Sequence, residues 1–134
     1  TQEKRKQLMP VANKYDLQEV LKACDFYFQE TGRRVTFEYS LVHGVNDTQE
    51  DAEELIGILK SRNCHLNLIP VNLIKERDFQ QPSRKNALNF KNKLEKSGIN
   101  VTIRRITHKN CQQRQNLCWQ FEIEIYLCDE YTLI

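Results

Sequence analysis

Glu38 is the carboxylate best placed to do chemistry, because it sits mid-run in the alternating stretch Val35-Thr-Phe-Glu-Tyr-Ser-Leu41. Side chains alternate faces along a strand, so Thr36, Glu38 and Ser40 share one face while Val35, Phe37 and Tyr39 share the other. An acid on such a face needs a cationic partner once water is excluded, since an unpaired buried charge is strongly unfavourable. Arg104 can be that partner. It belongs to Asn100-Val-Thr-Ile-Arg-Arg105, where Thr102 and Arg104 alternate with Val101 and Ile103. A third run, His65-Leu-Asn-Leu-Ile-Pro-Val-Asn72, sets His65 and Asn67 against Leu66 and Leu68. A Glu38–Arg104 pair serves a catalytic acid or a structural ion pair inside a barrel, and the residues leave both open.

Other reactive types are dispersed. His43, His65 and His108 have no partner at metal-ligand spacing and read as ordinary polar residues. There is no Ser/His/Asp order, and Gly44 and Gly57 are too isolated to form a phosphate loop. The five cysteines, at 24, 64, 111, 118 and 128, lack metal or redox spacing, which argues against a zinc site or disulfide framework. Asn72 lies just past a strand end, where a side-chain amide can both donate to and accept from a ligand. An Asx-type turn after Pro70-Val71 accounts for it equally well.

The elements that position these residues alternate. Asp16-Leu-Gln-Glu19 has capping-box spacing, Leu17, Val20, Leu21, Cys24 and Phe28 recur at helical intervals, and Gly32 is a natural stop. A second helix is predicted from Asp47 or Thr48, burying Ala52, Leu55, Ile56 and Leu59. A third follows Pro82-Ser83, exposes Arg84 and Lys85, and buries Ala87, Leu88, Phe90 and Leu94 before Gly98. The order helix, strand, helix, strand, helix, strand predicts an α/β fold of consecutive βα units with a parallel sheet. Such folds bind ligands at the carboxyl ends of their strands, which places the chemistry around Val42 to Asp47 and Pro70 to Asn72. The polar strand faces then line a cavity. An antiparallel sheet with one wet side is the alternative, against which the intervening helices argue. Val71 to Gln81, carrying Lys75, Glu76, Arg77 and Asp78, is predicted to be a mobile surface loop near that end.

Composition sets outer bounds. The 134 residues make one domain or a piece of one, and 20 Lys plus Arg against 18 Asp plus Glu imply no nucleic-acid partner by themselves. No apolar run approaches the ~20 residues that cross a bilayer, and no secretory signal is recognisable, so the cytoplasm is expected, without a membrane. The Lys4-Arg5-Lys6 triplet reads as a solvated helix turn, and the missing initiator Met as the mark of a fragment. After Arg105 the texture changes to a Gln/Asn-rich run, although Phe121, Ile123, Ile125 and Leu127 alternate like a strand.

Arg5-Lys-Gln-Leu-Met-Pro10, Gly32-Arg-Arg-Val-Thr-Phe-Glu-Tyr39, Gly44-Val-Asn-Asp47, Asn67-Leu-Ile-Pro-Val-Asn72, Pro82-Ser83 and Gly98-Ile-Asn-Val-Thr-Ile-Arg-Arg105 occur in this order. Together they closely resemble the carboxyl-terminal half of the RlmN/Cfr family of radical S-adenosyl-L-methionine (SAM) methyltransferases, across residues 1–105. The resemblance implies the carboxyl-terminal part of a partial (β/α) TIM-like barrel, parallel strands alternating with helices. It implies methylation of C2 of an adenine in 23S ribosomal RNA, and for some members of tRNA, with SAM and a 4Fe-4S cluster as cofactors. In that chemistry the reduced cluster yields a radical from SAM, a methylcysteine carries the methyl group to the adenine, and a second cysteine resolves the adduct.

By position, Asn72 matches a family residue that binds SAM. Gly44 to Asp47 matches a family signature, although turn and helix cap account for it. The cluster's Cys-x3-Cys-x2-Cys lies upstream in the family and is absent here, as are the Gly-Glu and Ser-Leu-His segments that grip SAM. Where the family has Ala-Cys-Gly-Gln, this chain reads Cys111-Gln-Gln-Arg-Gln115, and neither Cys111 nor Cys118 is assigned a role. Residues 1–105 are therefore expected to be barrel and 106–134 a divergent tail, read out of frame. Such a chain supplies barrel wall, one SAM contact and RNA-facing loops, and is not expected to turn over alone. The alternative is a non-catalytic α/β binding module whose tail is a true closing strand.

Overall fold

The computed structural model describes residues 2–8, 10–71, 80–104 and 126–127. Its elements are α1 (Gln2–Leu8), a 3-10 turn (Pro10–Asn13), α2 (Leu17–Thr31), β1 (Val35–Leu41), α3 (Gln49–Leu59), β2 (Cys64–Pro70), α4 (Arg84–Lys96), β3 (Asn100–Ile103) and β4 (Tyr126–Leu127). The sheet order is β3-β2-β1-β4. β1 pairs parallel with β2 and β2 parallel with β3, which is the predicted βα rhythm. β4 departs from it, lying antiparallel with Val35 opposite Leu127 and Thr36 opposite Tyr126. The expected boundary at residue 105 and the predicted loop residues 72–79 lie outside the described residues.

Helix ends form where local chemistry dictates. The Asp16 carboxylate accepts the Gln18 amide at the start of α2, and Gly32 closes it at φ 67°, a left-handed conformation glycine adopts without strain. Thr48 and Asp51 form a reciprocal capping box on α3, and Ser83 accepts the Asn86 amide to open α4.

The register places Phe37 beside Leu66 and Leu66 beside Val101, so the apolar strand faces coincide. Leu17, Leu21 and Cys24 of α2, Ala52, Leu55 and Leu59 of α3, and Ala87, Phe90 and Leu94 of α4 pack onto that face. Leu66 and Leu68 at its centre are 1% and 0% exposed. The Tyr39 ring stacks on Phe90 with centroids 5.8 Å apart.

Two expectations change. Leu88 is 42% exposed rather than buried, because 100° per residue turns it away from the stripe formed by Ala87, Phe90 and Leu94. The basic triplet is more than a solvated turn, since Lys4 pairs with buried Asp51 and Arg5 Nη1 donates to the Tyr15 carbonyl at 2.6 Å.

Phe90→Ala is accordingly expected to destabilise the chain by about 3–5 kcal/mol, whereas Leu88→Ala shifts it by less than about 0.5 kcal/mol. Urea unfolding of both variants checks this, and equal losses would contradict the assigned helix face.

Candidate functional site

Opposite the helices, the strands carry a polar layer. Register sets Glu38 beside Asn67 and Asn67 beside Thr102, with Thr36, His65 and Asn100 one step toward the amino ends. The Thr102 hydroxyl donates to Asn67 Oδ1 at 2.6 Å, so its oxygen is left to accept from His65 Nε2, 3.0 Å away. His65 Nδ1 lies 3.1 Å from the Asn100 side-chain amide. Arg104 reaches across β2 and donates from Nη1 to Glu38 Oε1 at 3.0 Å. The Glu38 side chain is 6% exposed and that of Arg104 48%. The structure thus forms the pair expected from the strand pattern, with the acid buried and the arginine side chain half exposed.

A tight turn after β1 closes the carboxyl end of the layer. The Val42 amide donates to Asn46 Oδ1 and Asn46 Nδ2 to the Ser40 carbonyl, both at 2.8 Å, while the Tyr39 hydroxyl donates to the Asn46 carbonyl at 3.0 Å. Burial, then the charges of Asp51, Glu54 and Asp47, push the Tyr39 phenol well above its ordinary value, so it remains a donor. Gly44 turns the chain at φ 71°, and its amide donates to Asp47 Oδ1 at 2.9 Å. The other Asp47 oxygen takes His43 Nδ1 at 2.9 Å and Asn86 Nδ2 at 2.7 Å. Asn46 and Asp47 are both buried. The Gly-Val-Asn-Asp signature therefore has a structural role, as a brace between β1 and α4.

Sequence reasoning left His43 without a partner, though the His-x3-Asp spacing to Asp47 could have revealed one. It also missed Lys4–Asp51, which no spacing rule across that separation could supply. Burial by itself would raise the Asp51 carboxyl, but the Lys4 and Thr48 hydrogen bonds outweigh it and hold the group below its ordinary range.

Asn72, the predicted SAM contact, lies outside the described residues, as do Cys111 and Cys118. The chain just before it is fixed, because the Val71 amide donates to the Leu41 carbonyl at 3.0 Å.

A cavity of about 250 Å³ lies instead at the amino ends of the strands on the helix side, lined by Cys24, Phe28, Phe37 and Cys64, with Asp25 and Arg62 among its walls. Burial, aided by Asp25, pushes the Cys24 thiol up to about 11, and burial also raises Cys64, so both stay protonated. Arg62 holds both Asp25 oxygens at 2.7 and 2.8 Å. Among the described residues no three His, Cys, Asp or Glu gather as metal ligands, so these residues do not fit a 4Fe-4S cluster. Nor is any helix among them long and apolar enough to cross a membrane.

No family model matches the chain. It is 63% identical over 103 residues to the probable dual-specificity RNA methyltransferase RlmN of Lachnoclostridium phytofermentans, covering 77% of this chain and 29% of that protein. Identity to the same-named protein of Clostridium perfringens is 55% over 103 residues, covering 77% and 30%. A crystal structure of a radical SAM methyltransferase from Sphaerobacter thermophilus superposes with a TM-score of 0.74 at 43% identity, over 77% of this chain and 30% of that one. Parallel strands alternating with helices, together with that superposition, make this part of a TIM-like (β/α) barrel. Over its matched part the chain belongs to the RlmN/Cfr family. It spans 29% to 30% of the length of these curated relatives.

Two outcomes follow from the ion pairs. A double-mutant cycle of Glu38→Gln and Arg104→Met, followed by urea unfolding, is expected to give a coupling of about 1 kcal/mol, modest because the arginine is half exposed. Additive losses would mean the pair is not formed in solution. Asp51 has a lower carboxyl pKa folded than unfolded, so its contribution is complete above about pH 4 and fades as pH falls through the folded value. The stability gap between the native chain and Asp51→Asn should therefore hold from neutral pH to about pH 4–5 and shrink below that. A gap that does not change down to pH 2 would rule out the linkage.

Proposed function

We propose that this chain forms the carboxyl-terminal portion of the barrel, residues 1–105, of a cytoplasmic radical SAM methyltransferase. The whole enzyme methylates C2 of an adenine in 23S ribosomal RNA, and tRNA as a second substrate, through a methylcysteine. The observation that carries the reading is 63% identity to an RlmN relative over 103 residues. The polar layer supports it, since a barrel enclosing a charged nucleoside ligand needs polar interior walls, and Glu38, Asn67, Thr102 and Arg104 supply one.

When bound, SAM supplies the methyl group and the radical chemistry. The residues of this chain position and enclose it. Asn72, which follows the strand end that Val71 anchors, would hold the ligand through an amide able both to donate and to accept. Arg104, steadied by Glu38, offers its remaining N–H groups to the polar face. The Asn46–Asp47 brace keeps the β1 turn rigid beside the site. Cluster ligands and the methyl-carrying cysteine come from outside the matched part, so the chain alone is inactive.

Replacing the corresponding segment of the Lachnoclostridium relative with residues 1–105 tests this. The chimera is expected to methylate adenine C2, read by mass spectrometry of digested ribosomal RNA, and Asn72→Ala to weaken SAM binding at least about tenfold while leaving the fold intact. A folded chimera with its cluster in place that leaves RNA unmethylated would remove the assignment.

A further inference from the structure

The carboxyl ends of the strands also carry a basic edge that the polar layer does not use. His43 follows β1, and Arg84 and Lys85 open α4. Three hydrogen bonds bring them together. The His43 amide donates to the Gln80 carbonyl at 3.0 Å, and the Asp47 carboxylate joins His43 Nδ1 to Asn86 Nδ2. His43 is thus held against the segment that leads into Arg84 and Lys85.

Its ring is oriented as well as placed. A carboxylate only accepts, so the proton sits on Nδ1, and in the neutral ring Nε2 carries a lone pair. The side chain is 54% exposed while Asp47 beneath it is 5% exposed. A rigid acceptor therefore faces outward at the ligand-binding end of the sheet.

Among the described residues this charge makes no ion pair, unlike that of Lys91 and Lys93 further along α4. Lys91 and Lys93 are neutralised by Glu95 at 3.1 Å and Glu53 at 2.7 Å. Arg84 and Lys85 are exposed and make no ion pair among the described residues. Of the acids opening α3, Asp51 is taken by Lys4 and Thr48, Glu53 by Lys93, and Glu54 is engaged too. Among the described residues, Asp47 beneath the histidine and Glu50 are the acids the edge has to outweigh.

We propose that His43, Arg84 and Lys85 form an RNA-binding rim, in which Arg84 and Lys85 take backbone phosphates and His43 Nε2 accepts a ribose 2′-hydroxyl. The guanidinium fork matches a phosphate, and the ammonium adds a point charge. A 2′-hydroxyl is a donor that DNA lacks, so the histidine contact distinguishes the two polymers. This rests on the RNA methyltransferase reading and adds the surface that grips the RNA.

Fluorescence anisotropy of the full chain, with a labelled RNA hairpin and the same sequence as DNA across a salt series, tests it. Arg84→Ala and Lys85→Ala should each weaken both polymers and lower the salt slope by about one. His43→Ala and His43→Phe should weaken RNA alone, by about fivefold, the size of one hydrogen bond, and abolish the preference for RNA. Lys60→Ala, at the far end of α3, should change nothing, and circular dichroism confirms each fold. RNA binding by the native chain that survives all three rim substitutions overturns the rim and leaves the methyltransferase reading standing. A native chain that binds neither polymer also overturns the rim, while methylation by the chimera decides the enzyme separately.

Discussion

The period-two alternation of β1, β2 and β3, held in one register, is the constraint on which everything else depends. Leu66 and Leu68 lie between Phe37 and Tyr39 on one side and Val101 and Ile103 on the other, beneath three helices. A one-residue slip of β2 would turn both leucines onto the polar layer and push His65 and Asn67 into the core. At ~25 cal/mol per Å² of apolar surface, losing two buried leucines alone exceeds a large share of a domain's net stability. Register is therefore strongly specified, and with it the placement of Glu38, Asn67 and Thr102 in one row.

That row divides the molecule into two chemical compartments. Cys24 and Cys64 lie on the helix side, where burial keeps them as neutral thiols. On the other side the polar groups satisfy one another, through His65, Asn67 and Thr102 and through Arg104 with Glu38. Satisfied in this way, they can remain beneath a ligand without the penalty of orphaned donors. Cys64 and the charged row never share a face, because parity along the strand forbids it, and Cys24 lies on α2, which packs against the opposite face.

The brace at the end of β1 fixes the carboxyl end of this layered sheet. Asp47 accepts from Gly44, His43 and Asn86 at once, so one buried carboxylate sets the turn, the histidine and the first turn of α4. Charge-assisted bonds of this kind are short and directional, which suits a position where loops must hold still. Lys4 does the same from the other direction, tying α1 to the capping box that opens α3.

Much of this was legible from residue order. Alternation marked the two faces, Asp16, Thr48 and Ser83 marked the helix starts, Gly32 marked a stop, and strand parity with charge suggested Glu38–Arg104. These signals are local or periodic, so a short window of sequence contains them. Leu88 was misplaced because an apolar residue next to a helical stripe looks like part of it until the facing surface is known. Lys4–Asp51, the sharing of Asp47 between His43 and Asn86, and the pairing of β4 with β1 depend on contacts between residues far apart in the chain. Residue order and periodicity determined the elements and their faces. Only the tertiary structure decided which charges meet and what the carboxyl end of the sheet presents, because those contacts exist only once the helices have packed.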